Sequence, residues 1–134
     1  MKQIWILLLV GLIGCTASTQ PSTTPSESEE TQNTKYEVLN IADFKAKLAS
    51  EQDAQLVDVR TTDECAGGII ENATNLDYFN DSFKDELAKL DKTKPLMLYC
   101  RSGNRSGKAS KIAAALGFQE IYDLEGGYNA WSSH

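Results

Sequence analysis

Apolar positions along the 134-residue chain fall into three patterns. From Ile4 to Ile13 the chain is almost wholly apolar, broken only by Gly11. From Thr16 to Lys35 it is Ser, Thr, Pro, Gln and Glu with no apolar period. Beyond Tyr36, short apolar runs alternate with segments of helical spacing. Tyr36 to Asn40 alternates like a short strand, and Ile41 to Ala49 places Ile41, Phe44 and Leu48 on one helical face. Gln55 to Val59 reads as a buried strand ending at Arg60. Thr61-Thr62-Asp63-Glu64 offers helix-start residues, and Gly67-Gly68 closes that turn. Asn75-Leu76 is a brief strand. Ser82 to Leu90 carries Phe83, Leu87 and Leu90 at helical spacing, and Pro95 opens the next extended run. Ser106 to Leu116 is a helix with Ala109, Ile112, Ala113 and Leu116 on one face and Gly117 as its stop. Glu120 to Leu124 is the last strand, followed by a helical turn at Tyr128 to Trp131.

Strands separated by helices of about ten residues predict an α/β fold, a single doubly wound parallel sheet flanked by helices. Sites in such sheets lie at the carboxyl ends of the strands. Two predicted strand ends carry reactive residue types, Asp58-Val59-Arg60 and Cys100-Arg101, and both belong at one rim.

The apolar run near the start is too short to cross a hydrocarbon core, which needs roughly twenty residues. Behind the single positive charge of Lys2 it has the form of a secretory signal peptide. It closes on Leu12-Ile13-Gly14-Cys15, which resembles the lipobox of bacterial lipoproteins. That resemblance implies cleavage before Cys15, lipidation of Cys15, and attachment to the extracytoplasmic face of the cell envelope. Ordinary cleavage near Ala17, leaving a soluble exported protein, is the alternative. Residues 16–35 cannot bury enough surface to offset their ordering entropy and are expected to tether the domain. The expected organisation is therefore a signal peptide over 1–14, lipidated cysteine and tether over 15–35, and one domain over 36–134.

The formal charge is −6, from 13 basic and 19 acidic side chains, and no basic block points to nucleic acid. Against that acidic background, Arg101 and Arg105 form a local exception beside Cys100.

Only the thiolate of a cysteine attacks, and a free thiol is mostly protonated at neutral pH. The usual activator is a histidine, yet the chain has one, His134, as its last residue. This argues against Cys-His and Ser-His-Asp machinery and against a His-rich metal site. Electrostatics remain. The loop behind Cys100 is short, polar and contains Gly103, so its N–H groups can curl round the sulfur with a helix dipole beneath. Ser106 is expected to cap that helix and donate toward the sulfur, while Arg101 and Arg105 are expected to bind oxyanions. An inert buried thiol is the competing account of Cys100, but arginines are unusual neighbours for one.

From Gln55 to Trp131 the chain resembles a single-domain rhodanese, a sulfurtransferase. The pieces that carry the resemblance are Leu56-Val57-Asp58-Val59-Arg60, Glu64 before Gly68, Ala73-Thr74-Asn75-Leu76, the loop Cys100-Arg101-Ser102-Gly103-Asn104-Arg105-Ser106, Leu116-Gly117-Phe118, and Leu124-Glu125-Gly126-Gly127-Tyr128-Asn129-Ala130-Trp131. It implies that Cys100 takes a sulfane sulfur from an anionic donor such as thiosulfate, forms a persulfide, and passes the sulfur to cyanide or a thiol. It further implies that Arg101, Ser102, Gly103, Asn104, Arg105 and Ser106 bind the substrate or the persulfide. Asp58 and Arg60 would support the loop from the neighbouring strand. Trp131 and Gly126-Gly127 would stabilise the fold. No cofactor or metal is called for.

Two departures stand out. Where the family often reads Gly-His-Ile-Pro-Gly-Ala, this chain has Gly68-Ile69-Ile70-Glu71-Asn72-Ala73, and Cys65 takes the place of a usual aromatic residue. Cys65 is either a small core residue or a thiol that resolves oxidised Cys100. Two rival functions share the same motif. Cysteine phosphatases and arsenate reductases use Cys-x-x-x-x-x-Arg, whereas here four residues separate Cys100 from Arg105. A sulfur-relay or binding module, tethered at the membrane with little turnover, is the second.

Overall fold

The computed structural model describes residues 33–134. The signal peptide, Cys15 and nearly all of the tether lie outside the described residues. Five strands form one fully parallel sheet: β1 (Lys35–Leu39), β2 (Gln55–Asp58), β3 (Thr74–Asn75), β4 (Leu96–Tyr99) and β5 (Glu120–Leu124), in the order β1-β5-β4-β2-β3. The helices are α1 (Ile41–Ser50), α2 (Thr62–Ala66), α3 (Phe83–Ala88), α4 (Asn104–Ala115) and α5 (Gly127–Ser132). This is the expected parallel α/β sheet covered by helices on both faces.

The strand sequences explain their places. Leu96, Met97, Leu98 and Tyr99 of β4 have no exposed surface, as a central parallel strand covered on both sides requires. β1 is an edge strand with mostly exposed positions, and Lys35 and Glu37 mark it as one. It begins one residue before the expected Tyr36, because Lys35 already pairs with Glu120 and the Thr34 hydroxyl donates to the Phe118 carbonyl at 2.9 Å.

Alternation along the strands splits the core in two. Val57, Val59, Leu96, Leu98, Cys100 and Ile121 meet α3 and α4 through Phe83, Leu87, Ala109 and Ala113. Leu56, Met97, Tyr99, Tyr122 and Leu124 meet α1 and α5 through Phe44, Tyr128 and Trp131. Trp131 is thus a packing residue. Helix α4 ends on a Schellman turn: Phe118 N–H reaches the Ala113 carbonyl at 3.2 Å, Gly117 N–H reaches that of Ala114 at 3.0 Å, and Gly117 has φ +93°.

Candidate active site

Cys100 is the residue directly after β4, and α4 starts four residues later. The helix begins at Asn104, two residues before the expected Ser106, and its N-cap is Gly103 at φ +104°, a left-handed conformation that suits glycine alone. None of the usual capping side chains bonds there. The sulfur of Cys100 takes that role. It accepts the Gly103 N–H at 3.1 Å and the Ser106 hydroxyl at 3.4 Å. Ser106 is therefore no cap but the third residue of the helix, where its hydroxyl turns back onto the sulfur. Groups that every helix start leaves without partners are here aimed at one sulfur atom.

Cys100 is 1% exposed. Burial pushes its thiol pKa up, but the Ser106 hydroxyl and the N–H groups of Ser106, Ser102 and Gly103 outweigh burial, and the net direction is down. The positive end of the twelve-residue α4 acts in the same sense. The arrangement stabilises a thiolate without a histidine.

The loop is held from beneath by the start of α5. Tyr128 N–H donates to the Cys100 carbonyl at 2.7 Å, and Asn129 N–H to the Arg101 carbonyl at 3.0 Å. A methyl on Gly127 would collide with the Cys100 carbonyl oxygen and lie 2.7 Å from the Arg101 carbonyl carbon. The closing Gly-Gly motif, expected only to stabilise the fold, thus positions the reactive loop.

The two arginines have different fates. Arg105 donates to both carboxylate oxygens of Glu64, each at 2.7 Å, and its guanidinium lies 5.5 Å from the centre of the Phe79 ring. Its cation is already answered, contrary to the expectation that it is free for substrate. Glu64 is fixed in turn by a capping box with Thr61, whose N–H it accepts at 3.0 Å. Arg105 and Thr61 hold the Glu64 carboxyl down at about 2. Arg101 is exposed, and no hydrogen bond or ion pair engages its side chain among the described residues. Asn104 is exposed on the first turn of α4.

Asp58 and Arg60 form a buried pair at 2.6 Å that does not reach the loop directly. Arg60 donates to the Gly68 carbonyl at 2.8 Å and lies 4.0 Å from the centre of the Tyr128 ring, so the pair ties the end of α2 to α5. Cys65 donates to the same Asp58 carboxylate at 3.4 Å, and burial with the Asp58 charge pushes its thiol up to about 11. Asp58 alternates with Val57 and Val59, which lie on the Cys100 side of the sheet. Cys65 is therefore joined to the opposite face. Both thiols are free. Of the two readings of Cys65, a small core residue or a resolving thiol, its bond to Asp58 on the opposite face favours the first.

One buried group stands outside the residues singled out from the sequence. Asp123, in β5, is 3% exposed and lies beneath α4, where a methyl on Gly107 would stand 3.6 Å from its Oδ2. A lone aspartate inside the apolar strand Ile121 to Leu124 is the signal that marks it.

Comparison with known proteins follows the same lines. Residues 40–134 match the family model described as the rhodanese-like domain. Among curated relatives, the thiosulfate sulfurtransferase GlpE of Pseudomonas savastanoi is 37% identical over 87 residues, covering 65% of this chain and 80% of that protein. GlpE of Pseudomonas aeruginosa is 36% identical over 93 residues, 69% of this chain and 83% of its own. Among solved structures, a rhodanese-like domain protein from Staphylococcus aureus superposes with a TM-score of 0.63 at 33% identity, covering 71% of this chain and 90% of its own.

Proposed function

We propose that this chain, which belongs to the rhodanese-like domain family, is a rhodanese-type transferase that moves a sulfane sulfur through a persulfide on Cys100. The observation that carries this reading is the sulfur itself, receiving the Gly103 N–H at 3.1 Å and the Ser106 hydroxyl at 3.4 Å at the head of α4. That the Pseudomonas relatives are thiosulfate sulfurtransferases supports thiosulfate as donor.

The reaction balances without a proton. The Cys100 thiolate attacks the outer sulfur of thiosulfate, the S–S bond breaks, and sulfite leaves with the bonding pair. The product is a Cys100 persulfide anion. Its terminal sulfur is then attacked by cyanide or by a thiolate, and Cys100 departs as the thiolate with which the cycle began. Both steps keep a negative charge within the cradle of N–H groups, so the same donors serve the resting thiolate and the persulfide. Exposed Arg101 at the rim attracts the anionic donor.

A phosphatase reading loses support because Arg105, the residue that would clasp a phosphoryl group, is engaged by Glu64. The setting proposed is the outer face of the cytoplasmic membrane or the periplasm, with Cys15 lipidated and residues 16–35 as the tether. The lipobox-like Leu12-Ile13-Gly14-Cys15 supports it.

Intact-mass analysis after adding thiosulfate tests the reaction. The protein should gain one sulfur atom that cyanide removes and that Cys100→Ser never acquires. Hydrolysis of phosphate esters with no gain of sulfur would overturn it. Incorporation of labelled fatty acid, lost in Cys15→Ser, tests the anchor.

A further inference from the structure

Phe79 is 67% exposed, the most exposed large hydrophobic side chain among the described residues. One exposed apolar side chain is ordinary on a protein surface, but the place of this one is not. It lies on the loop between β3 and α3, which continues the sheet past its last strand. Tyr78 N–H donates to the Val59 carbonyl at 3.2 Å, and Val59 N–H donates to the Tyr99 carbonyl at 3.0 Å. Tyr78, Val59 and Cys100 therefore belong to three neighbouring chains at the carboxyl rim. Two spacings between neighbouring chains, about 10 Å in all, separate the loop backbone from that of Cys100.

The loop carries two aromatic residues and uses them differently. Tyr78 packs against Phe83 with ring centres 5.3 Å apart, while Phe79 is left outside. Its turn is fixed, because the Asp77 carboxylate accepts the Phe79 N–H at 2.9 Å and Asn80 N–H reaches the Asp77 carbonyl at 3.0 Å. The Phe79 ring meets the Tyr78 ring edge-on at 5.6 Å, and the Arg105 guanidinium lies 5.5 Å from its centre. Arg105 precedes Ser106, whose hydroxyl reaches the Cys100 sulfur at 3.4 Å. Glu64 already answers the Arg105 charge through two bonds of 2.7 Å. The border of the site on this side is thus an apolar ring beside a neutralised ion pair.

We infer that Phe79 is a specificity-determining residue for the second half of sulfur transfer, offering its ring to an acceptor thiol that has an apolar body. This rests on the reading of Cys100 as the sulfur carrier. The donor is compact and anionic, and it is met by N–H groups and by Arg101. Cyanide is too short to touch the persulfide and the ring at once. A larger thiol can set its sulfur on the persulfide while its apolar end covers the ring, removing from water a surface that folding leaves exposed. The ring is held by its turn, so little ordering is needed when the acceptor arrives. In the step itself the acceptor thiolate attacks the outer sulfur of the persulfide. The S–S bond to Cys100 breaks, Cys100 keeps the bonding pair as a thiolate, and the acceptor leaves as a persulfide anion.

The test is a single turnover. The full chain is persulfidated on Cys100 with thiosulfate, freed of donor, and mixed with cyanide, 2-mercaptoethanol or 2-phenylethanethiol. Loss of the sulfur is followed by intact mass. The wild type should prefer 2-phenylethanethiol to 2-mercaptoethanol by about tenfold in second-order rate constant, the scale of one apolar contact. Phe79→Ala should lose most of that preference, Phe79→Tyr should keep it, and removal of the sulfur by cyanide should stay within about twofold in both. No preference in the wild type, or a preference that survives in Phe79→Ala, overturns the inference. An equal loss toward all three acceptors overturns it as well, since the ring would then act only by packing on Arg105. Each of those results leaves the sulfurtransferase reading in place, whereas a chain that gains no sulfur on Cys100 removes both.

Discussion

Glu64 and Arg105 meet across 41 residues of sequence through two parallel hydrogen bonds of 2.7 Å each. The pair joins the first turn of α4, which caps the sulfur, to α2. It also removes one of two cations from the mouth of the site. Attraction of an anionic donor then falls to Arg101, while Arg105 serves to hold the loop in shape.

Replacing Glu64 by Gln should therefore destabilise the domain. A bidentate, partly buried pair of this kind is worth about 1–2 kcal/mol once solvent screening is allowed for. The pH dependence has a definite sign. The Glu64 carboxyl lies at about 2 in the folded chain, below its ordinary value of 4.5, so its contribution is present above 4.5 and lost as pH falls toward 2. Thermal unfolding should separate Glu64→Gln from the wild type at neutral pH and bring the two together as pH approaches about 2. A constant gap across that window would count against the pair.

Gly127→Ala is expected to injure the reaction from outside the loop. The added methyl meets the carbonyls of Cys100 and Arg101, and φ is +56° at that residue. Relief requires α5 to retreat, which breaks the 2.7 Å bond from Tyr128 N–H to the Cys100 carbonyl. A loss of about 1–3 kcal/mol is the usual scale of such overpacking. Persulfide formation should fall at least about tenfold even at temperatures where the variant remains folded, since misplacing reacting groups is costly. An unchanged rate in a folded variant would show that α5 does not position the loop.

Much of this is legible in the chain because it is local. The apolar runs of β4 and β5, the helical face of α4 and the polar loop behind Cys100 each announce themselves within a dozen residues. The start of α4 departs from expectation for a physical reason: the group that caps it is a sulfur atom, not the Ser106 hydroxyl that a capping rule selects. The engagement of Arg105 is hidden because its partner lies in another element, although Thr61 and Glu64 already carry a capping-box spacing. The face to which Cys65 is joined depends on Asp58 and on the parity of β2, which becomes definite only when the strand is paired. Asp123 escapes notice because strand periodicity accepts one polar residue without saying what lies above it.

Cys65→Ala should leave sulfur transfer intact. Its thiol is bonded to Asp58 on the far face of the sheet and is pushed up to about 11, so it is neither nucleophilic at neutral pH nor placed to meet Cys100. Mass analysis after mild oxidation should show no internal Cys65–Cys100 disulfide in the wild type. A bridged peptide, or a loss of turnover in Cys65→Ala, would favour the resolving role instead.

Asp123→Asn should raise stability at neutral pH, the reverse of what most core substitutions do. The carboxyl lies at about 6 when folded against 3.8 for its ordinary value, because burial disfavours the charge. Between those values the folded chain binds the proton that the unfolded chain has released, so stability falls as pH rises through this window. The accumulated cost above it is about 2–3 kcal/mol, taking roughly 1.4 kcal/mol per pH unit. An amide of the same shape carries no charge to desolvate and should recover much of it. Below about pH 3.5 the carboxyl is largely neutral in both the folded and the unfolded chain, so the variant and the wild type should unfold at the same denaturant concentration. Urea titrations on either side of the window measure the difference directly. A gain of equal size on both sides would mean that better packing of the amide, and not relief of a buried charge, is responsible.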